Sequence, residues 1–407
     1  MKICLISSLF GISGGGAGLV VQQLAKGLMT AGHQVVVITS GGGKLPGLNV
    51  QEGVRIYSFR PANLYDIQDK NSQPIWGKIF WQLVDIYNPL VNSILREIIR
   101  AERPDVIHVH KMRSFSGAVW KIAAEFAPGR VIQTCHDYES ISPVGTLEGR
   151  IGEWAKVGLW PIRPYQLIRA SLTKNVSMVT SPSSNTLEIV TCRGLFPNAL
   201  RQRVPNSNGF TRAQLDAIRQ RASPGIKPYL HLLYLGRLEP EKGLRELCAA
   251  FLKVVKDHPS TKLTIAGWGS LEKELRETYG KDPEITFSGQ VVDDSKSHLL
   301  SSADVLIIPS TYLEISPLVA LEAHVFGKPV LASRIGGLPE LIEEGTTGWL
   351  VEPASLDALA QAIESVILNP GALPQMSQAC FQNAEKYTVE EMTSKYENVY
   401  LDLLRPS

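Results

Sequence analysis

Residues 310–348, STYLEISPLVALEAHVFGKPVLASRIGGLPELIEEGTTG, contain the pattern that decides the fold of this chain. The apolar run at residues 305–308 comes just before it and predicts a buried strand. Pro317 can occupy the first position of a helix, because its missing N–H group would have no partner there anyway. Apolar residues then recur at helical spacing from Leu318 to Val325. The sequence therefore predicts a strand, a loop and a helix, which is the repeating unit of an α/β fold.

Two carboxylates lie on either side of this predicted loop-to-helix junction. Glu314 is expected on the loop, and Glu322 about a turn and a half into the helix. The N–H groups of residues 318–320 would point out of the helix N-terminus and favour an anionic phosphate. A ligand with phosphate in the middle and hydroxyls at both ends is a nucleotide sugar. Taken alone, two glutamates eight residues apart are more often solvated surface charge.

The residues that follow favour the nucleotide-sugar interpretation. Together with the sequence GGLPE at residues 336–340, the two glutamates resemble the nucleotide-sugar motif of the retaining glycosyltransferases of family 4, also called glycosyl transferases group 1. The resemblance covers nearly the whole chain and is most specific over residues 234–352. It implies the GT-B fold, in which two Rossmann-like α/β domains with parallel sheets face a cleft.

The resemblance also implies where the domains lie. Residues 1–205 correspond to the acceptor-side domain, and residues 206–385 to the domain that binds the nucleotide sugar. Residues 386–407 are expected to form a helix that crosses back and packs on the first domain.

Composition agrees with a globular protein of two or three domains, since the chain has 407 residues, 44% of them hydrophobic and 20% charged. The formal net charge of +2 hides an asymmetry. Residues 1–210 carry 22 basic and 13 acidic side chains, whereas residues 211–407 carry 19 and 26. A basic first half and an acidic second half suggest different partners.

The cysteines favour the cytoplasm as the compartment. They are five in number, scattered, and without a CxxC pair, which is typical of reduced cysteines rather than of a disulfide framework or a metal site. The apolar run at the N-terminus is short and leads into glycines, so we expect a first strand rather than a signal peptide. No apolar run is long enough to span a membrane.

A glycine-rich loop follows the first predicted strand. It contains Gly15 and Gly16, and it precedes a helical pattern and a second strand, as in a βαβ unit. The loop matches neither GxGxxG nor a Walker A sequence, and no acidic residue ends the second strand, so a dinucleotide site is disfavoured. The resemblance implies that these glycines let substrate phosphates approach the backbone. A tight turn without a ligand explains either glycine equally well.

A histidine ends another predicted strand of the first half. His136 stands in the sequence CHDY directly after the apolar run at residues 131–134. Ligands of open α/β sheets bind at the carboxyl ends of the strands. The resemblance places His136 beside the reacting sugar carbon. We expect His108 and His110 to pack within the domain, with His110 nearer the cleft.

Residues 141–174 mix basic and aromatic side chains, among them Trp154 and Trp160. This composition suits a membrane surface or a lipid-linked acceptor. A partly buried helical pair with a solvated basic face explains it slightly better. Nucleic acid is a weaker candidate, because no recognised binding module accompanies the charge.

Two cations follow the predicted strand at residues 230–235. Arg237 and Lys242 lie in the sequence GRLEPEKG, where they can neutralise a diphosphate leaving group. In the resembled family these two residues bind the donor diphosphate. A surface salt bridge is the simpler alternative, and the flanking glycines disfavour it.

The resemblance implies further donor contacts. Three strand-end glycines are expected near the nucleotide: Gly236, Gly267 and Gly289. The family often has Gly-Phe-Gly after its first glutamate, whereas this chain has Ile-Ser-Pro at residues 315–317. Because proline lacks an N–H group, the phosphate contacts are expected at Ser316, Leu318 and Val319.

The implied reaction is transfer of a hexose from a nucleoside-diphosphate sugar, such as a UDP-sugar or GDP-mannose, with retention at the anomeric carbon. The expected acceptor is a glycan or a lipid-linked molecule, as in polysaccharide synthesis. His136, Arg237, Lys242 and Glu314 are the candidate catalytic residues, and Glu322 should accept hydrogen bonds from the ribose. We expect no metal and no further cofactor, because side-chain cations hold the phosphates. The expected location is the cytoplasm, with peripheral association at the inner membrane.

Three alternatives remain. A nucleotide-sugar epimerase of the same fold would act without an acceptor. A non-catalytic scaffold would bind a nucleotide sugar weakly or not at all, and the intact Arg237, Lys242, Glu314 and Glu322 disfavour it. A nicotinamide-dependent oxidoreductase is disfavoured by the missing acidic residue after the second strand.

Overall fold

The chain forms two compact units, Met1–Pro205 with Glu390–Ser407 and Asn206–Val389. The computed structural model describes residues 1–11, 15–41, 46–64, 73–160, 162–221 and 229–405. In both units, strands alternate with helices along the chain.

The strands and helices of the first unit follow in chain order: β1 (Lys2–Ser7), α1 (Gly15–Thr30), β2 (Gln34–Ser40), β3 (Gly47–Gln51), β4 (Val54–Phe59), α2 (Ile75–Ile86), α3 (Pro89–Glu102), β5 (Val106–Val109), α4 (Val119–Phe126), β6 (Val131–Thr134), α5 (Gly149–Val157), α6 (Arg163–Leu172), β7 (Met178–Ser181), α7 (Ser184–Thr191) and β8 (Leu200–Arg203). Its sheet has the order β3-β4-β2-β1-β5-β6-β7-β8. The pairs are parallel except β3 with β4. Strand β1 is buried from Ile3 to Ser7, as expected for a central strand covered on both faces.

The second unit follows in the same manner: α8 (Arg212–Arg221), β9 (Leu230–Leu235), α9 (Leu244–Val255), β10 (Thr261–Ala266), α10 (Glu272–Tyr279), β11 (Ile285–Gly289), α11 (Asp293–Ser302), β12 (Val305–Ile308), α12 (Leu318–Val325), β13 (Val330–Ser333), β14 (Gly348–Val351), α13 (Leu356–Leu368) and α14 (Leu373–Ala384). Its parallel sheet has the order β11-β10-β9-β12-β13-β14.

Helices cover both faces of this second sheet. Leu232 and Leu233 are neighbours on β9, yet they belong to different apolar clusters, because successive side chains of a strand point to opposite faces. One cluster includes side chains of α9, α10 and α13, and the other includes side chains of α8, α12 and α14. This is the Rossmann-like arrangement with a parallel sheet that the family resemblance implies.

The last helix, α15 (Val389–Leu404), packs on the first unit. Tyr400 and Tyr396 are buried, and their hydroxyls lie 2.8 Å from Nδ1 of His108 and 3.0 Å from Oγ1 of Thr134. His108 therefore packs beneath this helix, where burial lowers its pKa well below the ordinary value. These contacts fix α15 to strands β5 and β6.

Candidate functional site

The candidate site of the second unit lies at the carboxyl ends of β9 and β12. These strands are neighbours in the sheet, and Leu233 pairs with Leu306. From β9 the chain first proceeds to β10 and β11 on one side, and then crosses to β12 on the other. Ligands of open α/β sheets bind at such a reversal of strand order. The segments after β9 and β12 carry Lys242 and Glu314, respectively.

Lys242 and Glu314 form an ion pair at this edge. The Lys242 Nζ atom lies 2.8 Å from Oε1 of Glu314, and the two side chains are 14% and 8% exposed. Lys242 also donates a hydrogen bond to the Tyr312 hydroxyl at 2.7 Å and lies 4.3 Å from the centre of that ring. A charged pair that is so well shielded from solvent depends on these partners.

Two hydroxyls complete the surroundings of Glu314. Ser310 Oγ donates to Oε1, and Tyr312 Oη donates to Oε2, both at 2.7 Å. Together with Lys242, the carboxylate accepts three hydrogen bonds, which leaves one of its roughly four acceptor positions. Sequence reasoning missed Ser310 and Tyr312. The sequence offered one sign that they contact Glu314, which is that they lie four and two residues before it.

The start of α12 differs from the sequence prediction. Pro317 is the N-cap, not the first helical residue, and the helix begins at Leu318. The Ala320 N–H group donates to the Pro317 carbonyl at 3.1 Å, so the expectation of three free N–H groups at residues 318–320 is wrong by one. Among the described residues, Leu318 and Val319 have no backbone acceptor for their N–H groups.

Ser316 adds an unusual group beside this helix start. Its Oγ is buried and makes no hydrogen bond to any described residue. A buried hydroxyl without a partner is costly, and such groups commonly occur at sites that bind a ligand. The three positions Ser316, Leu318 and Val319 thus present polar hydrogens that the protein itself does not use.

Glu322 has a partner that sequence reasoning missed. Lys296 on α11 places its Nζ atom 2.6 Å from Oε1 of Glu322, whose side chain is 13% exposed. Across the described part of the chain, Oε2 has no hydrogen-bond partner. One oxygen of Glu322 therefore remains able to accept from a hydroxyl.

Arg237 is the more exposed of the two predicted cations. Its side chain is 56% exposed, and its guanidinium lies 3.5 Å from a carboxylate oxygen of Glu241. The Tyr234 hydroxyl donates to the Arg237 carbonyl at 2.6 Å and so holds the backbone of this segment. The exposed guanidinium can turn toward an anion, since a contact of this length with Glu241 in water is weak.

The strand-end glycines come together, mainly for reasons of backbone packing. Gly236, Gly267 and Gly289 follow β9 and β10 and end β11, and the Gly267 N–H group donates to the Gly289 carbonyl at 2.8 Å. A Cβ atom on Gly267 would lie 1.7 Å from the Gly236 carbonyl oxygen. Likewise, a Cβ on Gly336, whose φ is +61°, would lie 2.1 Å from the carbonyl oxygen of Glu314. The fold therefore requires glycine at positions 267 and 336, whatever else these residues contact.

The remaining predicted residues belong to the first unit. Gly15 and Gly16 are exposed at the start of α1, and Gly15 has a φ of +63° with no atom of the described residues within 4 Å of its Cβ position. His136 follows β6, and its Nε2 atom lies 2.9 Å from Nδ1 of the buried His110. Burial, followed by the positive charge of Lys111, lowers the pKa of His136 to about 4, so its ring is neutral at pH 7.

Known proteins share this organisation. The family model described as Glycosyltransferase Family 4 matches residues 14–206, and the one described as Glycosyl transferases group 1 matches residues 216–387. The glycogen synthase of Mycobacterium tuberculosis is 30% identical over 384 residues, which cover 90% of this chain and 86% of that protein. This chain belongs to glycosyltransferase family 4. The family predicted from the sequence is thereby confirmed.

Solved structures of other proteins identify the fold class of this glycosyltransferase. Sucrose-phosphate synthase from Thermosynechococcus elongatus is 22% identical, with a TM-score of 0.73 over 99% of both chains. The Anabaena protein HepE, in complex with UDP, is 19% identical, with a TM-score of 0.68 over 99% of this chain and 100% of its own. At these identities the likeness supports the fold alone, and it confirms the predicted GT-B class.

Two features are absent from the described residues of this glycosyltransferase. No helix there is long and apolar enough to cross a membrane. No three or more side chains of His, Cys, Asp or Glu come together there as metal ligands would. The predicted independence from metal ions stays a prediction.

Proposed function

We propose that this glycosyltransferase transfers a hexose from a nucleoside-diphosphate sugar to a glycan or lipid-linked acceptor, with retention of the anomeric configuration. The observation that carries the proposal is the group of unused donors beside Glu314. The N–H groups of Leu318 and Val319 and the hydroxyl of Ser316 lie next to one another in sequence at a helix start. A helix N-terminus attracts phosphate through both its free N–H groups and its dipole.

The two cations support the leaving group in this proposal. Lys242 uses two of its three donor hydrogens on Tyr312 and Glu314, which leaves one for a phosphate oxygen. Arg237 is exposed and can add a second positive charge. Negative charge develops on the diphosphate as its bond to the anomeric carbon breaks, and cations held in place at that point lower the barrier without a metal ion.

The carboxylates support the sugar and the ribose. Glu314 has one acceptor position left, which suits a single sugar hydroxyl. Glu322 offers Oε2 to the ribose while Lys296 holds Oε1. The Anabaena protein HepE was solved with UDP, so uridine diphosphate sugars are the first donors to test.

The remaining parts of the proposal rest on the first unit and on the cysteines. His136 is neutral near pH 7, so it can donate or accept a hydrogen bond with an uncharged sugar hydroxyl. Four of the five cysteines are buried and none is disulfide-bonded, which supports a reducing compartment such as the cytoplasm.

A donor panel tests the proposal directly. The full chain is mixed with UDP-, ADP- and GDP-sugars, and binding is followed by isothermal calorimetry with and without added Mg²⁺. We expect one donor to bind without Mg²⁺, and the Ser316→Ala and Arg237→Ala variants to bind it more weakly, while Arg245→Ala serves as an exposed control on α9. Anomeric NMR of the product then distinguishes retention from inversion. Failure of every donor to bind would refute the proposal, and turnover without an acceptor would favour an epimerase.

A further inference from the structure

Helix α2 exposes its apolar face to solvent. The exposed side chains recur at spacings of four and three residues and are large, at exposed fractions of 65%, 55%, 57% and 58%: Trp76, Phe80, Leu83 and Tyr87. The opposite face is the buried one, with Trp81 and Asp85 at 1% and 2% exposed. We call the four exposed residues the α2 stripe. Monomeric proteins rarely expose a contiguous apolar strip of this kind without a binding partner.

The buried face of α2 is fixed to α6. Asp85 lies 3.6 Å from the Arg169 guanidinium, and both side chains are almost fully buried. Asp85 also accepts a hydrogen bond from the Ser114 N–H group at 2.8 Å. Gln82 Nε2 donates to the Pro143 carbonyl at 2.5 Å, which joins α2 to the segment before α5. These contacts hold α2 with its stripe outward, so the exposure is built into the unit.

The neighbouring helices expose apolar side chains of their own. On α6, Leu167 and Ile168 are 54% and 43% exposed, and in the loop before it Trp160 is 78% exposed. These residues belong to the segment 141–174 that the sequence singled out. The structure therefore extends the candidate surface from that segment to α2, which lies outside the segment and adds aromatic side chains of its own.

The charges around this surface are mostly positive. Apart from the buried pair of Asp85 and Arg169, residues 75–86 and 149–174 carry five basic side chains and one acidic one. Arg150 is exposed beside Trp154, with its guanidinium carbon 4.7 Å from the ring centre. Aromatic residues are enriched at the level of lipid headgroups, and basic residues are attracted by anionic lipids.

We propose that the α2 stripe, together with α5 and α6, docks this protein on an anionic membrane surface. An apolar protein partner would account for the exposed α2 stripe but not for the basic side chains around it. The α2 stripe would enter the headgroup region while the basic side chains contact lipid phosphates, as in amphipathic helices that lie in the interface. This inference goes beyond the proposed sugar transfer and does not depend on the donor.

Vesicle flotation of the full chain tests this inference. Wild-type protein is mixed with vesicles of phosphatidylcholine alone, or of phosphatidylcholine with phosphatidylglycerol, in the absence of any sugar donor. We expect binding to the mixed vesicles that weakens with added salt, because salt screens the charges. The Trp76→Ser/Phe80→Ser variant should bind at least about a hundredfold more weakly, since burying each of the two large apolar side chains is worth about tenfold or more.

Matched controls distinguish binding through this surface from non-specific binding by exposed apolar side chains. Leu48→Ser/Leu368→Ser removes two apolar side chains that are 50% and 62% exposed elsewhere, and it should bind like the wild type. The conservative variant Trp76→Phe should retain most of the binding of the wild type. Circular dichroism should show that every variant is folded. Absence of wild-type binding to mixed vesicles, or full binding by the double variant of the stripe, would overturn the inference. So would a concentration-dependent dimer, seen by light scattering, that only the stripe variant loses.

Discussion

Breaking the ion pair at the edge of the second sheet should destabilise that unit, and removing both partners should cost clearly less than the sum of the two single changes. Lys242→Met leaves the Glu314 carboxylate in its place with only the hydroxyls of Ser310 and Tyr312 as donors. Glu314→Gln leaves the Lys242 ammonium with hydrogen-bond acceptors, Tyr312 and the new amide oxygen, but without a counter-charge. In each single variant, one charge stays shielded from solvent without its counter-charge.

The burial of the pair sets the size of the effect. With the two side chains 14% and 8% exposed, loss of one partner costs about 3 kcal/mol, the lower end for buried pairs. Glu314→Gln should cost less, about 2 kcal/mol, because an amide still accepts hydrogen bonds from Lys242 and Ser310. The double variant should also cost about 2 kcal/mol rather than the sum, since no unpaired charge remains. For a unit of this size, 3 kcal/mol lowers the melting temperature by roughly 6–12 °C.

Scanning calorimetry of the full chain measures these values. We expect each of the two units to unfold in its own transition, so the data are fitted with two transitions and not with one. The transition of the second unit is assigned as the one that Lys242→Met shifts. Arg245→Ala breaks an exposed pair with Glu274 in the same unit, 2.6 Å long, and should leave both transitions unchanged. Equal melting temperatures for wild type and Lys242→Met would refute the reasoning, as would additivity of the two single variants.

Three further outcomes follow from the same structure. Arg237→Ala should lower kcat about 10²–10³-fold, as for loss of one group that stabilises a developing anion, with unchanged circular dichroism and melting temperature. Lys296→Met should weaken donor binding while leaving kcat within about threefold, because it only orients Glu322; steady-state kinetics separate the two parameters. Burial lowers the pKa of His324 from 6.5 to about 4, so the unfolded chain takes up a proton that the folded chain does not between those values. Stability should therefore fall by about 3 kcal/mol as the pH drops from 7 to 4, and His324→Gln should flatten this part of the pH profile of the melting temperature.

The fold class was predictable from the sequence because its signals are local. An apolar run that is followed by glycines and then by a helical pattern, as from Lys2 onward and from Leu230 onward, identifies a strand and the helix that covers it. The position of α15 was expected only from the family resemblance. Its anchors are contacts between residues 292 and 262 positions apart, Tyr400 with His108 and Tyr396 with Thr134.

The sequence by itself determined which chemical groups stand at the strand ends, and thus Arg237, Lys242 and Glu314 as candidates and the family to which they belong. Only the tertiary structure decided how they are paired. Lys242 meets Glu314 over 72 positions because β9 and β12 are neighbours in the sheet, although β10 and β11 lie between them in the chain. Lys296 meets Glu322 because α11 and α12 pack on the same face of the sheet, with Leu300 and Ala320 in one apolar cluster, and no local sequence pattern indicates this pairing. Strand order arises from burying both faces of the sheet at once, which is a property of the whole unit and not of any short stretch.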